Sequence, residues 1–222
     1  MIILDQVSKT YRVRGQQNVV LDRISAVFPA GMSIALLGAN GAGKSTLLNI
    51  LAGGLRPSAG QVRITGRVSY PIGFSGAFHP DLSGAQNARF VARLYGVDTQ
   101  DLIAFVDDFS ELGAHLHLPV STYSAGMKAR LSFAIAMGIP FDTYLMDEVT
   151  AVGDGAFRKK SIAVFEARRA SAGAIVVSHS TPMIRQICTC GAVLDQGRLS
   201  FHNDIETALN HHEAVLARGV AA

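Results

Sequence analysis

The sequence predicts an α/β protein of one domain, built on a parallel sheet and interrupted by a helical insert. Short apolar runs typical of buried strands alternate with helical patterns, which favours a parallel sheet with helices on both faces. A glycine-rich stretch at 38–45 joins one such run to a helix. Between about 73 and 138 the apolar period becomes helical, and a chain of 222 residues accommodates this insert within one domain.

The elements follow in the order that local patterns predict. Strands are expected at 2–7, 19–28 and 33–37, a helix at 44–52 that ends near Gly53, and strands around 61–65 and 67–70. In the insert, Ser83 is the expected N-cap of a helix with apolar residues at 85, 88, 91 and 95. The alternation resumes with strands at 144–146, 174–178 and 191–194, a helix after Asp154 and a polar C-terminal helix from Asp204.

Charge and hydropathy exclude several classes of protein. The 20 Lys and Arg against 17 Asp and Glu give a net charge of +3, which does not argue for nucleic acid binding. The basic run at 158–160 is expected to be a solvated helix face, with contact to acidic lipid headgroups as the alternative. The longest apolar stretch, 131–141, is too short to cross a bilayer, and the N-terminus lacks a signal-peptide pattern. The mean hydropathy of +0.27 suggests extensive apolar burial, part of it against a partner.

The cysteines and three of the histidines predict no site. Cys188 and Cys190 have no second pair and no matching histidine spacing, and their alternation fits a strand in a reducing compartment. His202, His211 and His212 are expected at the surface.

The glycine-rich stretch GANGAGKS satisfies the P-loop pattern GxxxxGK[ST], and it lies between a strand and a helix as the pattern requires. In a P-loop the backbone surrounds phosphate groups, the lysine reaches the outer phosphates and the hydroxyl can hold Mg²⁺. The predicted nucleotide-binding residues are Gly38, Ala39, Asn40, Gly41, Ala42, Gly43, Lys44, Ser45 and Thr46.

Polar groups are expected at the carboxyl ends of two later strands. The apolar run 144–146 leads to Asp147 and Glu148, at the sheet edge where ligands of open α/β folds bind. Phosphoryl transfer needs carboxylates there to hold Mg²⁺ and to activate water, although adjacent carboxylates on an exposed loop are common. His179 ends another buried strand, so its ring should emerge at the same edge, where a γ-phosphate contact and a structural role are the alternatives.

A second predicted phosphate-binding segment precedes the strand that leads to Asp147 and Glu148. Residues 123–127 (YSAGM) place Ser124 and Gly126 just before a helical pattern, and free backbone NH groups at a helix N-terminus favour phosphate oxygens. This arrangement, with a P-loop upstream, resembles the ATP-binding cassette (ABC) ATPases. The resemblance implies a P-loop NTPase core with a mixed sheet, an antiparallel β subdomain and the helical subdomain at about 73–138, all within one domain at 1–222.

The resemblance also implies roles for single residues. Asp147 and Ser45 would hold Mg²⁺ beside ATP, Glu148 would polarise the attacking water, and His179 would be the switch histidine at the γ-phosphate. The segment of Ser124, Ala125 and Gly126 would contact the ATP of the opposing subunit in a head-to-tail homodimer, although it departs from the usual LSGGQ. Asp154 would touch that subunit, cap a helix, or do both. Tyr11 would stack on adenine, but an exposed tyrosine near a terminus is common.

One segment departs from the family pattern. Most ABC ATPases have a glutamine between 73 and 80, where this chain reads GFSGAFHP, and Gln86 comes too late. The sequence around this segment resembles that of ATPase subunits of bacterial polysaccharide exporters, especially the capsular group. The resemblance runs from residue 11 to about 199. Related O-antigen and teichoic acid exporters often carry a further C-terminal domain, for which a chain ending at 222 has no room.

The resulting expectation is an ATP-hydrolysing subunit, peripheral at the cytoplasmic face of the bacterial inner membrane, that drives a membrane-spanning permease exporting capsular polysaccharide. A nucleotide-dependent regulatory module with little hydrolysis remains an alternative because the glutamine is missing, and O-antigen or teichoic acid are alternative cargoes. A small-molecule P-loop kinase would lack YSAGM. A permease-docking groove is expected at 74–95, where the apolar residues are Phe74, Phe78, Phe90, Val91 and Leu94.

Overall fold

The computed structural model describes residues 1–13, 15–72, 78–147 and 155–220. The chain divides into two compact units. The first comprises Met1–Pro71, Phe141–Glu148 and Ser171–Ala222, and the second comprises Ile72–Pro140 and Val149–Ala170. The second unit is larger than the insert expected at about 73–138, because it also takes in a later helix. The assignment of one domain to the whole chain stays a prediction.

The first unit holds two sheets and the helices that cover them. Its strands are β1 (Ile2–Val13), β2 (Gln16–Phe28), β3 (Ser33–Leu37), β4 (Ala59–Ile64), β5 (Thr143–Asp147), β6 (Gly173–Val177), β7 (Cys190–Asp195) and β8 (Arg198–His202). Its helices are α1 (Lys44–Leu51), α6 (Thr181–Ile187) and α7 (Ile205–Val220). The second unit contains α2 (Gly84–Tyr95), α3 (Thr99–Ser110), α4 (Ala125–Gly138), α5 (Gly155–Arg169) and 3₁₀ turns at Gly113–His117 and Val120–Thr122.

The smaller sheet is antiparallel and has the order β2-β1-β4. Ile2 in the middle strand pairs with Phe28 on one side and with Ile64 on the other. The buried residues of β1 and β2 are Ile2, Leu4, Val7, Leu21, Ile24 and Phe28, so this pair packs one face on a core, whereas no residue of β4 is fully buried. The antiparallel β subdomain that the family resemblance implied is therefore confirmed.

The larger sheet is mixed and has the order β5-β6-β3-β7-β8, in which only β8 runs antiparallel to its neighbour. Every residue of the central strand β3 is buried, since both faces of the sheet are covered. Leu47, Leu48 and Leu51 of α1 join the core cluster on one face together with the antiparallel sheet. The loop after β3 therefore leaves the centre of the sheet at its carboxyl edge.

Strand β7 shows how the two faces of this sheet are divided. Cys190, Ala192 and Leu194 belong to the core cluster that includes α1. Gly191 faces the other way, and a Cβ built on it would lie 2.5 Å from the Cβ of Ala208 in α7. Burial raises the pKa of the Cys190 thiol above its usual range, so the thiol stays protonated at neutral pH. The expectation that Cys188 also lies in this strand is wrong, because it caps the end of α6.

The second unit is organised by helix capping and aromatic packing. Ser83 is the N-cap of α2 as predicted, and Gln86 completes a capping box with it. The ring of Phe109 in α3 lies within 6 Å of the rings of Phe105, Phe133 and Phe157, which brings α3, α4 and α5 together.

The strand expected at 67–70 is wrong. Val68 makes one isolated parallel bridge to Thr143, formed by the backbone bonds Ser69 N to Thr143 O at 3.0 Å and Thr143 N to Arg67 O at 3.2 Å, and two polar side chains bind further backbone NH groups. The carboxylate of Asp142 accepts from Arg67 N at 2.6 Å, and Ser69 Oγ accepts from Leu145 N at 2.8 Å. This segment therefore braces the start of β5 without extending the sheet.

Within the described part of the chain, no helix combines the length and apolar character that crossing a bilayer would need.

Candidate active site

Two glycines of the P-loop are required by their surroundings. Gly38 has φ 152°, and a Cβ there would lie 2.5 Å from the carbonyl oxygen of Leu194 in β7. Gly43 has φ 105°, and its Cβ would lie 2.8 Å from Cγ1 of Val20 in β2. A side chain at either position would push the loop away from the strands that support it. The glycines thus let the backbone curl tightly between both sheets.

Lys44, the first residue of α1, turns its side chain back over this loop. Its Nζ donates to the carbonyl oxygen of Gly38 at 2.7 Å and to that of Ala39 at 2.9 Å. Ala42 N donates to the same Ala39 oxygen at 3.1 Å, which closes the turn. The ammonium group is thereby held at the mouth of the loop, where anionic phosphate oxygens can replace or join the neutral carbonyls as acceptors.

Ser45 and Asp147 meet although 102 positions separate them. Ser45 Oγ at the start of α1 donates to Asp147 Oδ2 at the end of β5, at 3.3 Å. A hydroxyl and a carboxylate are the hard oxygen ligands that Mg²⁺ prefers, and the remaining ligands of that ion commonly come from phosphate and water. Within the described residues no group of three or more His, Cys, Asp or Glu could hold a metal by itself. The pair therefore fits Mg²⁺ that arrives with a nucleotide.

These groups line a cavity of about 300 Å³ at the carboxyl edge of the mixed sheet. The lining residues are Val20, Asn40, Gly41, Gly43, Lys44, Ser45, Thr46, Asp147 and Val177. Six of the nine predicted P-loop residues line it, while Gly38, Ala39 and Ala42 lie behind them as the backbone turn.

The segment predicted as a second phosphate site starts a long helix in the second unit. Ser124 is the N-cap of α4, and its Oγ accepts from Met127 N at 3.2 Å. Ser124, Ala125 and Gly126 are exposed, so their outward surfaces are available to another molecule. Tyr123 is buried behind them, and its hydroxyl donates to the carbonyl oxygen of His115 at 2.5 Å. Burial raises the pKa of the Tyr123 phenol, which keeps this donor protonated.

The described residues thus form a P-loop, an oxygen pair suited to Mg²⁺ and a separate serine-capped helix. The model of the ABC transporter family matches residues 21–151, which is more than half of the chain. The chain belongs to this family. As an ABC transporter ATP-binding subunit it binds and hydrolyses ATP, so its P-loop cavity is the expected place for the triphosphate.

Relatives of known name cover nearly the whole chain. KpsT of Escherichia coli, a polysialic acid transport ATP-binding protein, is 40% identical over 94% of this chain and 97% of its own length. CtrD of Neisseria meningitidis serogroup B, a capsule polysaccharide export ATP-binding protein, is 41% identical over 97% of this chain and 100% of its own length. TagH of Staphylococcus haemolyticus, a teichoic acids export ATP-binding protein, is 35% identical over 88% of this chain and 75% of its own length.

Solved structures agree on the fold. The ATP-binding cassette MJ0796, solved as a dimer in a post-hydrolysis state with ADP and Pi, has a TM-score of 0.79 and 18% identity. The match covers 92% of this chain and 99% of that one. At this identity the likeness supports the ABC fold, which the sequence analysis predicted and which is confirmed.

Two further predicted residues of the ABC subunit, His179 and Tyr11, do not line the cavity. His179 is exposed, two residues beyond the end of β6, whose last residue Val177 lines the cavity. Tyr11 in β1 is 38% exposed and pairs with Asn18 in β2, and the ammonium of Lys9 lies 5.2 Å from the centre of its ring. Tyr11 does not line the cavity, so adenine stacking there stays a prediction.

Other predictions for the ABC subunit concern residues outside the described part of the chain. Glu148, the expected base, and Asp154, the expected dimer contact, both belong to that group, as does 73–77 with Phe74. Gln86 is described, and its side chain accepts from Ser83 N at 2.8 Å, so it serves α2 as a cap. The sequence contains no glutamine between 73 and 80.

His212 is half-buried, which its sequence context did not lead us to expect. His212 was expected at the surface, but its Nδ1 is buried in the first unit and has no hydrogen-bond partner among the described residues. Burial lowers the pKa of His212, and the charge of Lys44 lowers it further. The available signal was its i, i+4 and i+7 spacing with Ala208 and Val215 on a predicted helix.

Proposed function

We propose that the chain powers the export of capsular polysaccharide across a bacterial inner membrane. The assignment of this cargo is supported by the 40 to 41% identity with two polysaccharide export ATP-binding proteins over nearly their whole lengths. The polymer does not need to touch this subunit, because nucleotide-driven motion of a membrane permease can move it. O-antigen and teichoic acid are the alternative cargoes.

Phosphate binding follows from the cavity. Lys44 would exchange its carbonyl partners for the β- and γ-phosphates of ATP, and the backbone NH groups of the P-loop would surround them. Ser45 and Asp147 would hold Mg²⁺, which offsets the phosphate charge when bound. Hydrolysis then requires a group that orients water opposite the leaving group. We assign this role to Glu148, which directly follows Asp147, and assign His179 to the γ-phosphate.

The serine-capped helix supports a dimer. One ATP needs one P-loop, so a second phosphate-binding helix start in the same chain suits the ATP of another subunit. In the proposed head-to-tail homodimer, Ser124, Ala125 and Gly126 of one subunit would contact ATP in its partner, and Asp154 would touch that partner. Binding would close the dimer and hydrolysis would reopen it.

An apolar patch on α2 supports a permease contact. Phe90 is 63% exposed and Leu94 is 66% exposed, and a spacing of four places them on one helix face. Phe78 just before the helix is half-buried. Val91, which the sequence analysis included in the groove, is only 7% exposed and belongs to the core. We therefore restrict the described part of the proposed docking patch to Phe78, Phe90 and Leu94.

A complementation experiment tests the proposal. A capsulated bacterium that lacks its own export ATPase would receive this chain together with the permease encoded beside it, and surface polysaccharide would be measured. We expect capsule at the surface with the natural chain and none with Glu148→Gln. Surface teichoic acid or O-antigen without capsule would overturn the cargo. ATP binding without detectable hydrolysis, even with the permease in membranes, would favour the regulatory alternative.

A further inference from the structure

Helix α3 ends in an acidic residue with an unusual backbone conformation. Glu111 is the C-cap of this helix, with φ 57° and ψ 31°. Glycine is the residue that most often takes this left-handed conformation, because a side chain makes it costly. The chain therefore has a carboxylate at a position where glycine would suit the backbone better. Backbone outliers of this kind cluster where a side chain serves function.

The carboxylate of Glu111 joins two further helices to α3. Its Oε2 accepts from Nη1 of Arg130 in α4 at 3.3 Å, and its Oε1 accepts from Nζ of Lys160 in α5 at 3.1 Å. Lys160 Nζ also donates to the carbonyl oxygens of Asp108 and Phe109, both at 3.3 Å, so it caps the end of α3. Glu111 is thus the point at which charged groups of α3, α4 and α5 meet.

Aromatic rings hold both cations in place. Cζ of Arg130 lies 4.5 Å from the centre of the Phe157 ring, and Nζ of Lys160 lies 4.8 Å from the centre of the Phe109 ring. The centres of these two rings are 5.4 Å apart. The Arg130 side chain is only 18% exposed, whereas that of Glu111 is 49% exposed. The ion pairs therefore lie at the rim of the aromatic cluster, and packing limits the directions that the two cations can take.

The end of α4 that begins at Ser124 has little other packing along the helix. Every residue from Leu131 to Met137 is buried, and Arg168 Nε donates to the Met137 oxygen at 2.8 Å. None of the residues 124–130 is fully buried. Arg130 is the last residue before the buried part, so its ion pair acts on the exposed first turns of α4. Lys160 has a similar place in the second turn of α5, which starts directly after position 154.

We propose that Glu111 is a positioning residue for ATP hydrolysis, which holds the starts of α4 and α5 in the arrangement that reaches the partner subunit. Through Arg130 it directs the turn that presents Ser124 to the partner's ATP, and through Lys160 it directs the start of α5 behind Asp154. Ion pairs exposed to solvent add little to the free energy of folding, so losing this carboxylate should disturb the arrangement more than the stability. The inference rests on the proposed head-to-tail homodimer, and it adds a residue outside the P-loop cavity.

Glu111→Gly separates positioning from folding. Glycine takes the left-handed conformation without strain, so the melting temperature of this variant should stay close to that of the natural chain. In a Glu148→Gln background, where ATP is expected to trap the dimer, the dimer dissociation constant should rise by ~10-fold or more, because small misplacements of contacting groups have large effects. Light scattering with ATP and Mg²⁺ over a range of chain concentrations measures this constant. The ATP affinity of the dilute, monomeric variant should be unchanged.

Two further variants complete the test. Asp107→Asn is the matched control, since it also removes one exposed negative charge from α3 but lies outside the cluster, and it should leave the dimer dissociation constant unchanged. Glu111→Gln keeps the size of the side chain and removes only its charge, so it should weaken the dimer as Glu111→Gly does.

The outcomes distinguish this inference from the proposed dimer. If the Glu148→Gln chain forms no ATP-dependent dimer, the proposed homodimer is wrong and the role of Glu111 is lost with it. If the dimer forms and Glu111→Gly leaves its dissociation constant unchanged, only the role of Glu111 is overturned. A large fall in melting temperature for both Glu111→Gly and Glu111→Gln would assign the carboxylate to folding, and that result would overturn the inference as well.

Discussion

At the scale of single residues, the P-loop depends on short distances that allow little adjustment. The Cβ missing from Gly38 would meet a backbone carbonyl of β7, and β7 cannot move without disturbing its pairing with β3. Lys44 and Ser45 are positioned by the same turn, since the lysine ammonium is held by two loop carbonyls and the serine hydroxyl by Asp147. A change in the loop backbone should therefore reach phosphate and Mg²⁺ binding together.

Gly38→Ala tests this dependence. The new methyl group should shift the loop and lower ATP affinity by ~10-fold or more, while the overpacking costs about 1–3 kcal/mol of folding free energy. Fluorescent ATP titration and urea unfolding measure the two effects. Gly53→Ala is the control, because Gly53 also has a positive φ of 75° but nothing within 4 Å of a Cβ. Equal effects of both substitutions on ATP affinity would contradict the steric argument.

A second residue-scale prediction separates binding from chemistry. Glu148→Gln keeps the size of the side chain but removes a base, so ATP affinity should persist while turnover falls by ~10² or more. The trapped ATP should also stabilise a dimer, which light scattering can detect. Lys44→Ala should instead weaken ATP binding itself. Parallel loss of binding in the two variants would contradict this division of roles.

At the scale of elements, a buried amide holds the start of α2. Asn87 is 3% exposed, and its Oδ1 accepts from His79 N at 2.9 Å. Its Nδ2 lies within 3.3 Å of the carbonyl oxygens of His79, Leu82 and Ser83. The same loop pairs with the segment before Ser124, since Val120 N donates to the Leu82 oxygen at 2.9 Å. Asn87 thus organises both the entrance to α2 and the approach to the serine-capped helix.

Asn87→Leu should consequently destabilise the chain more than its similar volume suggests. The substitution leaves the His79 NH without its acceptor, at a cost of about 1–3 kcal/mol for a buried group left unsatisfied, and removes one of the donors to the carbonyls of His79, Leu82 and Ser83, each of which keeps a backbone donor. Urea unfolding would measure the loss. Gln86→Ala, which removes only the capping-box partner on the same helix, should cost about 1 kcal/mol. A smaller loss for Asn87→Leu than for Gln86→Ala would refute the assigned role.

The elements also show which features sequence patterns can predict. Strand β3, helix α1 and the capped α2 were predictable because their signals are local. The meeting of Ser45 with Asp147 followed from the rule that carboxyl ends of parallel strands share an edge. The segment 67–70 has a strand-like composition, yet it forms one isolated bridge to Thr143, and the side chains of Asp142 and Ser69 bind the NH groups of Arg67 and Leu145. The position of His212 depends on how α7 docks, which pairwise tertiary contacts decide and no local pattern reports.

At the scale of the whole molecule, the second unit must expose what a separate permease can recognise. Most apolar side chains of α2 are consumed by its own core, including Ala88, Val91 and Ala92. Phe90 and Leu94 remain outside this core and expose apolar surface without an evident contribution to folding. An exposed aromatic beside an aliphatic residue is a typical centre of a protein interface. The exposure of these two apolar side chains to solvent is consistent with a partner that covers them in the assembled transporter.

Phe90→Asp and Leu94→Asp should therefore abolish export while ATP binding and folding stay intact. A charge within a buried apolar contact has no compensating partner, which costs the complex but not the isolated chain. The measurements are nucleotide affinity and thermal melting of the purified variant beside surface polysaccharide in cells that express it. Val91→Asp is the matched control at the adjacent position, because this side chain is only 7% exposed. Its replacement should unfold the chain and abolish both ATP binding and export. Normal surface polysaccharide with Phe90→Asp and Leu94→Asp would eliminate this patch as the docking site, and joint loss of folding and ATP binding would assign both residues to the core.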